Sequence, residues 1–228
     1  MDSLSWLQVL AYIAFAVLVI GVAVRAIKYF TMPIHLRWEL YPVPHEKKEG
    51  SYFEEIDWWK KPRKKHYLNH IIFVIQEILF IRALYHHNRK LWNFSFPFHL
   101  GLYLVIGWLA LLLLSAILNT FGLGANLAEF ARRLAVFIGV FGFILGIIGS
   151  IGLIIKKATA EELKGYTAPV DYFNLIFILM VFVSGIGAWV TSDPHFLSVR
   201  AFVEGHITLK SVEVSTFVSL HITFFPFL

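Results

Sequence analysis

The 228-residue chain is 58% hydrophobic and only 15% charged, whereas soluble domains carry roughly 25% charged residues. This composition excludes a single water-soluble core, and the absence of cysteine excludes disulfides and thiolate-bound metal clusters within the chain. The net charge of +5 comes from basic residues beside apolar segments, which is typical of membrane topology and argues against nucleic-acid binding.

Apolar segments long enough to cross a bilayer occur about five times, since a crossing requires about 20 residues at about 1.5 Å rise each. The predicted spans are residues 4–27, 97–121, 134–155, 169–190 and 211–228. The first has no basic leader and no small-residue cleavage site, so we expect a retained anchor.

Two of these spans carry recognisable helix signals. Pro97 is expected at the start of the second helix, where its missing N–H group is tolerated. The third span contains glycines at helical spacing that favour close helix contact, namely Gly139, Gly142, Gly146 and Gly149. The fifth span provides about 18 residues, or about 27 Å of helix, and ends without a polar cap. We therefore expect the natural chain to continue beyond Leu228.

Residues 71–84 are apolar but too short to cross. Gln76, Glu77 and Arg82 interrupt this segment, which favours an amphipathic helix lying in the membrane interface. The sequence therefore predicts an all-α integral membrane bundle of five transmembrane helices plus an amphipathic interfacial helix, in a single membrane domain over residues 1–228.

The distribution of basic residues predicts the orientation. Thirteen of the 20 Lys and Arg residues lie between Arg25 and the end of the loop 31–96, three follow the third span, and four lie on the opposite side. The positive-inside rule then places loop 31–96 in the cytoplasm and the N-terminus outside. With five spans the C-terminus is also cytoplasmic, in the cell membrane.

Only two histidines fall within the predicted spans, His99 and His221. A neutral imidazole in an apolar helix bundle is typical of an axial ligand of b-type haem. The alternative is that each hydrogen-bonds a carbonyl of a neighbouring helix, and both interpretations stay open. Helix depth places the two roughly half a membrane apart, so each would need another ligand. Gly101 would let a flat macrocycle approach the backbone.

Polar residues predicted at the outer boundary are candidates for a quinone and proton site, because a quinol must release protons to a nearby polar group. These are His195, His206, Asp193 and Glu213. The alternative is an ordinary solvated loop.

Loop 31–96 is rich in proline and aromatic residues over residues 33–45 and 50–59, too hydrophobic for a solvated tether. It packs either on a soluble partner subunit or on the interfacial helix of the chain itself. The basic run at residues 60–65 favours contact with anionic lipid.

Several motifs resemble a known family. The motif Phe98-His99-Leu100-Gly101 opens the second span, the loop reads PIHLRWELYPVPH over residues 33–45, and Trp58-Trp59 and Lys90-Leu91-Trp92 follow. With the five-span layout, these resemble the cytochrome b (gamma) subunit of respiratory nitrate reductase. They are most similar to the membrane cytochromes of the sulfate-reducer Dsr, Hme and Tmc complexes and of membrane-bound heterodisulfide reductase.

The resemblance implies one or two b haems held by the second and fifth helices, with His99 on the inner iron and His221 on the outer iron. It implies menaquinone as the redox substrate and a cytoplasmic iron–sulfur subunit docked on loop 31–96. Further membrane or outer-face subunits are also compatible with it.

Two departures from the family pattern affect the haem sites. Leu109 stands where the nitrate-reductase pattern has a second histidine, and the inner partner would fall beyond Leu228. His221 therefore binds haem with another ligand, or binds quinol instead.

Two classes of function follow. The first is a haem b subunit of a respiratory oxidoreductase complex, of the kind used in sulfate respiration, that carries electrons and is not a stand-alone enzyme. The second is a non-redox membrane anchor that docks a soluble enzyme. A transporter is less consistent with the sequence, because paired broken helices and buried charges are lacking.

Overall fold

The computed structural model describes residues 5–32, 60 and 67–224, and this part of the chain is helical with no strand. The predicted loop motifs at residues 33–45, 50–59 and 61–65 lie outside the described residues, as do residues 225–228. In chain order the helices are α1 Trp6–Thr31, α2 Tyr67–Phe80, α3 Arg82–His87, α4 Arg89–Thr120, α5 Ala125–Thr159, α6 Glu161–Lys164, α7 Pro169–Thr191, α8 Leu197–Thr208 and α9 Thr216–Phe224.

Four helices are long and apolar enough to cross a membrane: α1, α4, α5 and α7. Their outer faces carry large apolar side chains, among them Phe137 at 70% exposure and Phe30 at 91%. Such surfaces require lipid or another chain around them. The all-α prediction is therefore confirmed for the described residues, and the four long apolar helices, each able to cross by length and composition, indicate a multi-pass membrane protein. The described part of α9 has nine residues, too few for a fifth crossing.

The start of the second long helix was predicted wrongly. Pro97 lies inside α4, which begins eight residues earlier at Arg89. The start signal is Asn88, whose side-chain Oδ1 accepts the backbone N–H of Leu91 at 3.0 Å. An asparagine in this position satisfies one of the free N–H groups of the first turn, and that decides where the helix begins.

The segment predicted as one interfacial helix is two helices. α2 and α3 are separated by Ile81, which has a left-handed φ of 49°. The polar residues of the segment hold this break. Glu77 Oε2 accepts the backbone N–H of Ala83 at 2.9 Å, and Arg82 donates to Gln76 Oε1 at 2.7 Å. These helices belong to a compact unit of residues 21–92, and the other unit comprises residues 1–20 and 93–228.

Glycine contacts join α4 to α5 in the larger unit. A Cβ built on Gly101 would lie 2.6 Å from the backbone nitrogen of Gly146 and 2.8 Å from the carbonyl oxygen of Gly142. A Cβ on Gly149 would lie 2.3 Å from the nitrogen of Phe98. The two helices therefore touch backbone to backbone, as the glycine spacing in the third span indicates.

α8 was not predicted. The connection between the fourth and fifth spans contains this 12-residue helix. Its buried residues, Val199, Phe202 and Gly205, recur every three positions. That spacing places them on one helix face, so α8 packs on the bundle through an apolar side.

Candidate functional site

An apolar cavity of about 460 Å³ lies among α1, α4, α8 and α9. Aromatic side chains from three of these helices form much of its wall: Tyr12, Phe15, Trp108 and Phe202. Two histidines also line it, His206 from α8 and His221 from α9. Cofactor pockets typically measure about 300–1,000 Å³ and combine apolar walls with a few polar groups. This cavity meets both conditions.

His221 is held rigidly in this cavity. Its side chain is 4% exposed, and its Nδ1 lies 3.0 Å from the hydroxyl oxygen of Ser184 on α7. That hydroxyl donates its proton to the carbonyl of Val181 at 2.9 Å, so its oxygen accepts the proton of Nδ1. The neutral ring then carries its lone pair on Nε2.

Aromatic rings surround the His221 imidazole. Its centroid lies 6.0 Å from the ring of Trp108 and 5.5 Å from that of Phe143. Gly139 leaves the space for Trp108, because a Cβ there would lie 2.4 Å from the indole Cδ1. The small residues of α5 therefore position the wall against which the imidazole packs.

His206 reaches the same cavity from α8. Its Nδ1 donates to the carbonyl of Phe202 at 2.8 Å, and its ring packs against Tyr12 and Phe202 with centroids 4.8 and 4.6 Å away. Its Nε2 is buried and has no hydrogen-bond partner within the described part of the chain. An unsatisfied buried nitrogen of this kind costs roughly 1–3 kcal/mol, so a ligand in the cavity is the natural partner.

This placement differs from the one predicted for His206. The sequence prediction put it at the outer boundary with His195, Asp193 and Glu213, either as a quinone and proton group or in an ordinary solvated loop. The structure puts it on α8, on the side of the helix that lines the cavity. The reason is the apolar face of α8, because His206 follows Phe202 by four residues, or one helical turn. Sequence reasoning missed α8 because the segment between the two spans was too short and polar to be a crossing.

The other predicted outer residues lie elsewhere. Asp193 is buried, and its two carboxylate oxygens accept the backbone N–H groups of Leu197 and Val199 at 2.8 and 3.0 Å. It therefore holds the start of α8. His195 and Glu213 are exposed, and neither lines the cavity. The structure thus brings only His206, of these four, to His221.

An ion-pair cluster near Asp193 was also missed. Arg132 on α5 is buried, pairs with Glu129 at 2.5 Å and donates to the backbone carbonyl of His195. Glu129 also accepts from Arg133 at 2.8 Å. In the sequence the two arginines are only part of the four basic residues on the side opposite loop 31–96, whereas in the structure Arg132 ties α5 to the turn that precedes α8.

His99 lies apart from the cavity. It is nine residues before Trp108 on α4, or about 13 Å along the helix axis, and does not line the cavity. Its Nδ1 donates to the carbonyl of Ser95 at 2.7 Å. Gly101, expected to admit a macrocycle, instead packs against the α5 backbone, because the glycines of that helix leave room for α4 itself.

The cavity is lined mainly by apolar side chains, which suits a mostly apolar cofactor. Among residues 5–32, 60 and 67–224, no group of three or more His, Cys, Asp or Glu side chains is placed to hold a metal ion. A b-type haem fits these residues, since it requires one or two imidazole nitrogens and apolar walls.

Comparison with known proteins gives no match. No family model matches the chain, and neither the curated proteins nor the solved structures contain a significantly similar one.

Proposed function

We propose that the chain is the haem b subunit of a membrane respiratory complex, which exchanges electrons between menaquinone and a cytoplasmic iron–sulfur partner. The observation that carries this proposal is His221, a buried imidazole facing an apolar cavity of about 460 Å³. A buried histidine inside a helix bundle is a functional-site candidate by default, because ionisable groups are costly in the membrane.

The surrounding residues have defined tasks in this proposal. Ser184 accepts the Nδ1 proton of His221, which fixes the ring orientation and directs the Nε2 lone pair to a metal. Such outer contacts orient metal-binding histidines in general. Trp108 and Phe143 keep water from the imidazole. A bound haem would supply a one-electron carrier.

His99 is proposed as a ligand of a second, inner haem. Its Nδ1 donates to the Ser95 carbonyl, so that its Nε2 also carries a lone pair. Its distance from Trp108 along α4 separates it from the cavity of His221. Two sites at different depths would provide a route for electrons across the membrane.

The wider assignments are part of the same proposal. The resemblance of residues 33–45 and Phe98–Gly101 supports membership in the nitrate-reductase gamma-like cytochromes, close to the sulfate-reducer complexes. The basic loop 31–96 supports a cytoplasmic docking face, an outside N-terminus and a cytoplasmic C-terminus. A fifth crossing through α9 and an interfacial location for α2 complete the proposed topology.

The test is spectroscopic. Reduced-minus-oxidised spectra and haem extraction on the purified complex should show b-type bands and non-covalent haem. The His99→Ala variant should lose one haem, whereas the matched control His86→Ala, an exposed histidine of α3, should keep both. A complex without any haem would leave the non-redox membrane anchor as the function.

A further inference from the structure

We propose that His206 is the second axial ligand of the haem bound by His221, so that α8 and α9 hold one iron between them. This inference rests on the proposed haem function and adds to it a ligand from outside the long helices. The sequence prediction gave His206 a different task, in quinone and proton chemistry.

Few side chains around the cavity can bind iron. Among the described residues that line the cavity, only Tyr12, His206 and His221 carry a side-chain atom that binds haem iron. The Tyr12 hydroxyl already donates to the backbone carbonyl of His206 at 2.7 Å. α4 contributes Trp108, Leu109 and Leu113, none of which binds iron. His206 is therefore the partner that the cavity offers to His221.

The hydrogen bonds of the two imidazole rings assign the same tautomer to both. His206 donates from Nδ1 to the Phe202 carbonyl, and His221 donates from Nδ1 to Ser184. Each neutral ring therefore carries its lone pair on Nε2. Iron-binding histidines commonly donate the other ring N–H to a carbonyl or similar acceptor. Both rings have the arrangement that such a ligand requires.

Packing contacts fix the connection between α8 and α9. Leu209 takes a left-handed φ of 56° and ends α8. The carbonyl of Lys210 then accepts from Gln8 Nε2 at 2.8 Å. Gly205 packs against Val212, since a Cβ on Gly205 would lie 2.6 Å from the Val212 Cγ2. The path from His206 to His221 is thus held by α1 and by its own packing, which preorganises a two-ligand site.

The experiment uses the whole complex and compares three variants. His206→Ala removes the ligand, His206→Met replaces it with a different axial ligand, and His195→Ala changes an exposed histidine of the turn before α8. The readouts are haem content, the spin state by electron paramagnetic resonance, and the midpoint potential of each haem. Magnetic circular dichroism of the wild-type complex reports the axial ligands without any mutation.

Bis-imidazole ligation predicts a distinct result for each protein. The wild type should show a six-coordinate, low-spin haem with two nitrogen ligands. His206→Ala should lose one low-spin signal, and added imidazole should restore it. His206→Met should keep a low-spin haem at a higher potential, since histidine–methionine ligation raises the potential. His195→Ala should match the wild type.

Other results overturn the inference. Unchanged haem spin states and midpoint potentials in His206→Ala would overturn the inference, even if the rate of quinol oxidation fell. A wild-type spectrum in which every haem lacks a second nitrogen ligand would also do so, and does not depend on variant folding. A wild-type complex without haem would instead refute the proposed function, so the two failures are distinguishable.

Discussion

The contact between α4 and α5 makes a quantitative prediction about Gly101→Ala. A Cβ at this position would lie 2.6 to 2.8 Å from three backbone atoms of Gly142 and Gly146. Because backbone cannot rotate away as a side chain can, the two helices must separate. Overpacking of this kind costs about 1–3 kcal/mol, against a helix-propensity gain of about 1 kcal/mol for alanine over glycine.

Gly107→Ala is the matched control, because it makes the same change in the same helix. A Cβ there would lie 4.0 Å from Ile138 Cγ2, an ordinary contact, so only the propensity gain of about 1 kcal/mol applies. The free energies of unfolding of the two variants should differ by about 1–3 kcal/mol. For a chain of this size that corresponds to about 2–12 °C in melting temperature.

The assay is thermal unfolding of the purified protein in one detergent, followed by tryptophan fluorescence. Gly101→Ala should melt below Gly107→Ala. Equal melting temperatures, or a higher one for Gly101→Ala, would show that α4 and α5 are not in backbone contact at this point.

Three further predictions concern the turn before α8 and the His221 pocket. Asp193→Ala should lower the free energy of unfolding by about 1 kcal/mol, because the start of α8 loses its capping carboxylate; an unchanged melting temperature would contradict that role. Arg132→Met should destabilise the fold more than Arg133→Met, because the Arg132 side chain is 8% exposed and the Arg133 side chain 75%. An exposed ion pair contributes only about 0–1 kcal/mol. The reverse order of melting temperatures would refute the role of Arg132 in holding α5 to the turn. Ser184→Ala should weaken haem retention about 10-fold or more, measured as the rate at which haem is lost to a competing apoprotein. Ser184→Thr keeps the hydroxyl and should retain haem like the wild type. Equal haem loss from both variants would exclude a role for the hydrogen bond to His221.

The long helices were predicted well because each contains an apolar segment of about 20 residues. Residues 4–27, 97–121, 134–155 and 169–190 each lie within, or within two residues of, an observed long helix, because about 20 apolar residues leave the chain few alternatives in lipid. The predicted fourth span begins at residue 169, where α7 also begins. The glycines of α5 likewise predicted a close contact with another helix, but they did not predict which residues of α4 would make that contact.

Helix starts and the site were less predictable. Asn88 and Pro97 both carry helix-start signals, and the sequence does not say which of them prevails when the intervening residues also favour a helix. α8 was also hard to predict, because its buried face consists only of Val199, Phe202 and Gly205. Whether His206 faces water or the bundle depends on contacts with α1, which lies about 200 residues away in the chain.

Pro97, two turns inside α4, has a consequence for how deep this helix lies. The proline nitrogen has no proton, so the carbonyl of Asn93 lacks its usual helical donor. Hydrocarbon offers no replacement, whereas water and lipid head groups do, and the side chain of Asn93 is exposed. We therefore expect Asn93 to lie in the hydrated layer. The dry part of α4 would then begin after Pro97, and residues 98–120 would still provide about 35 Å of helix, enough for one full crossing.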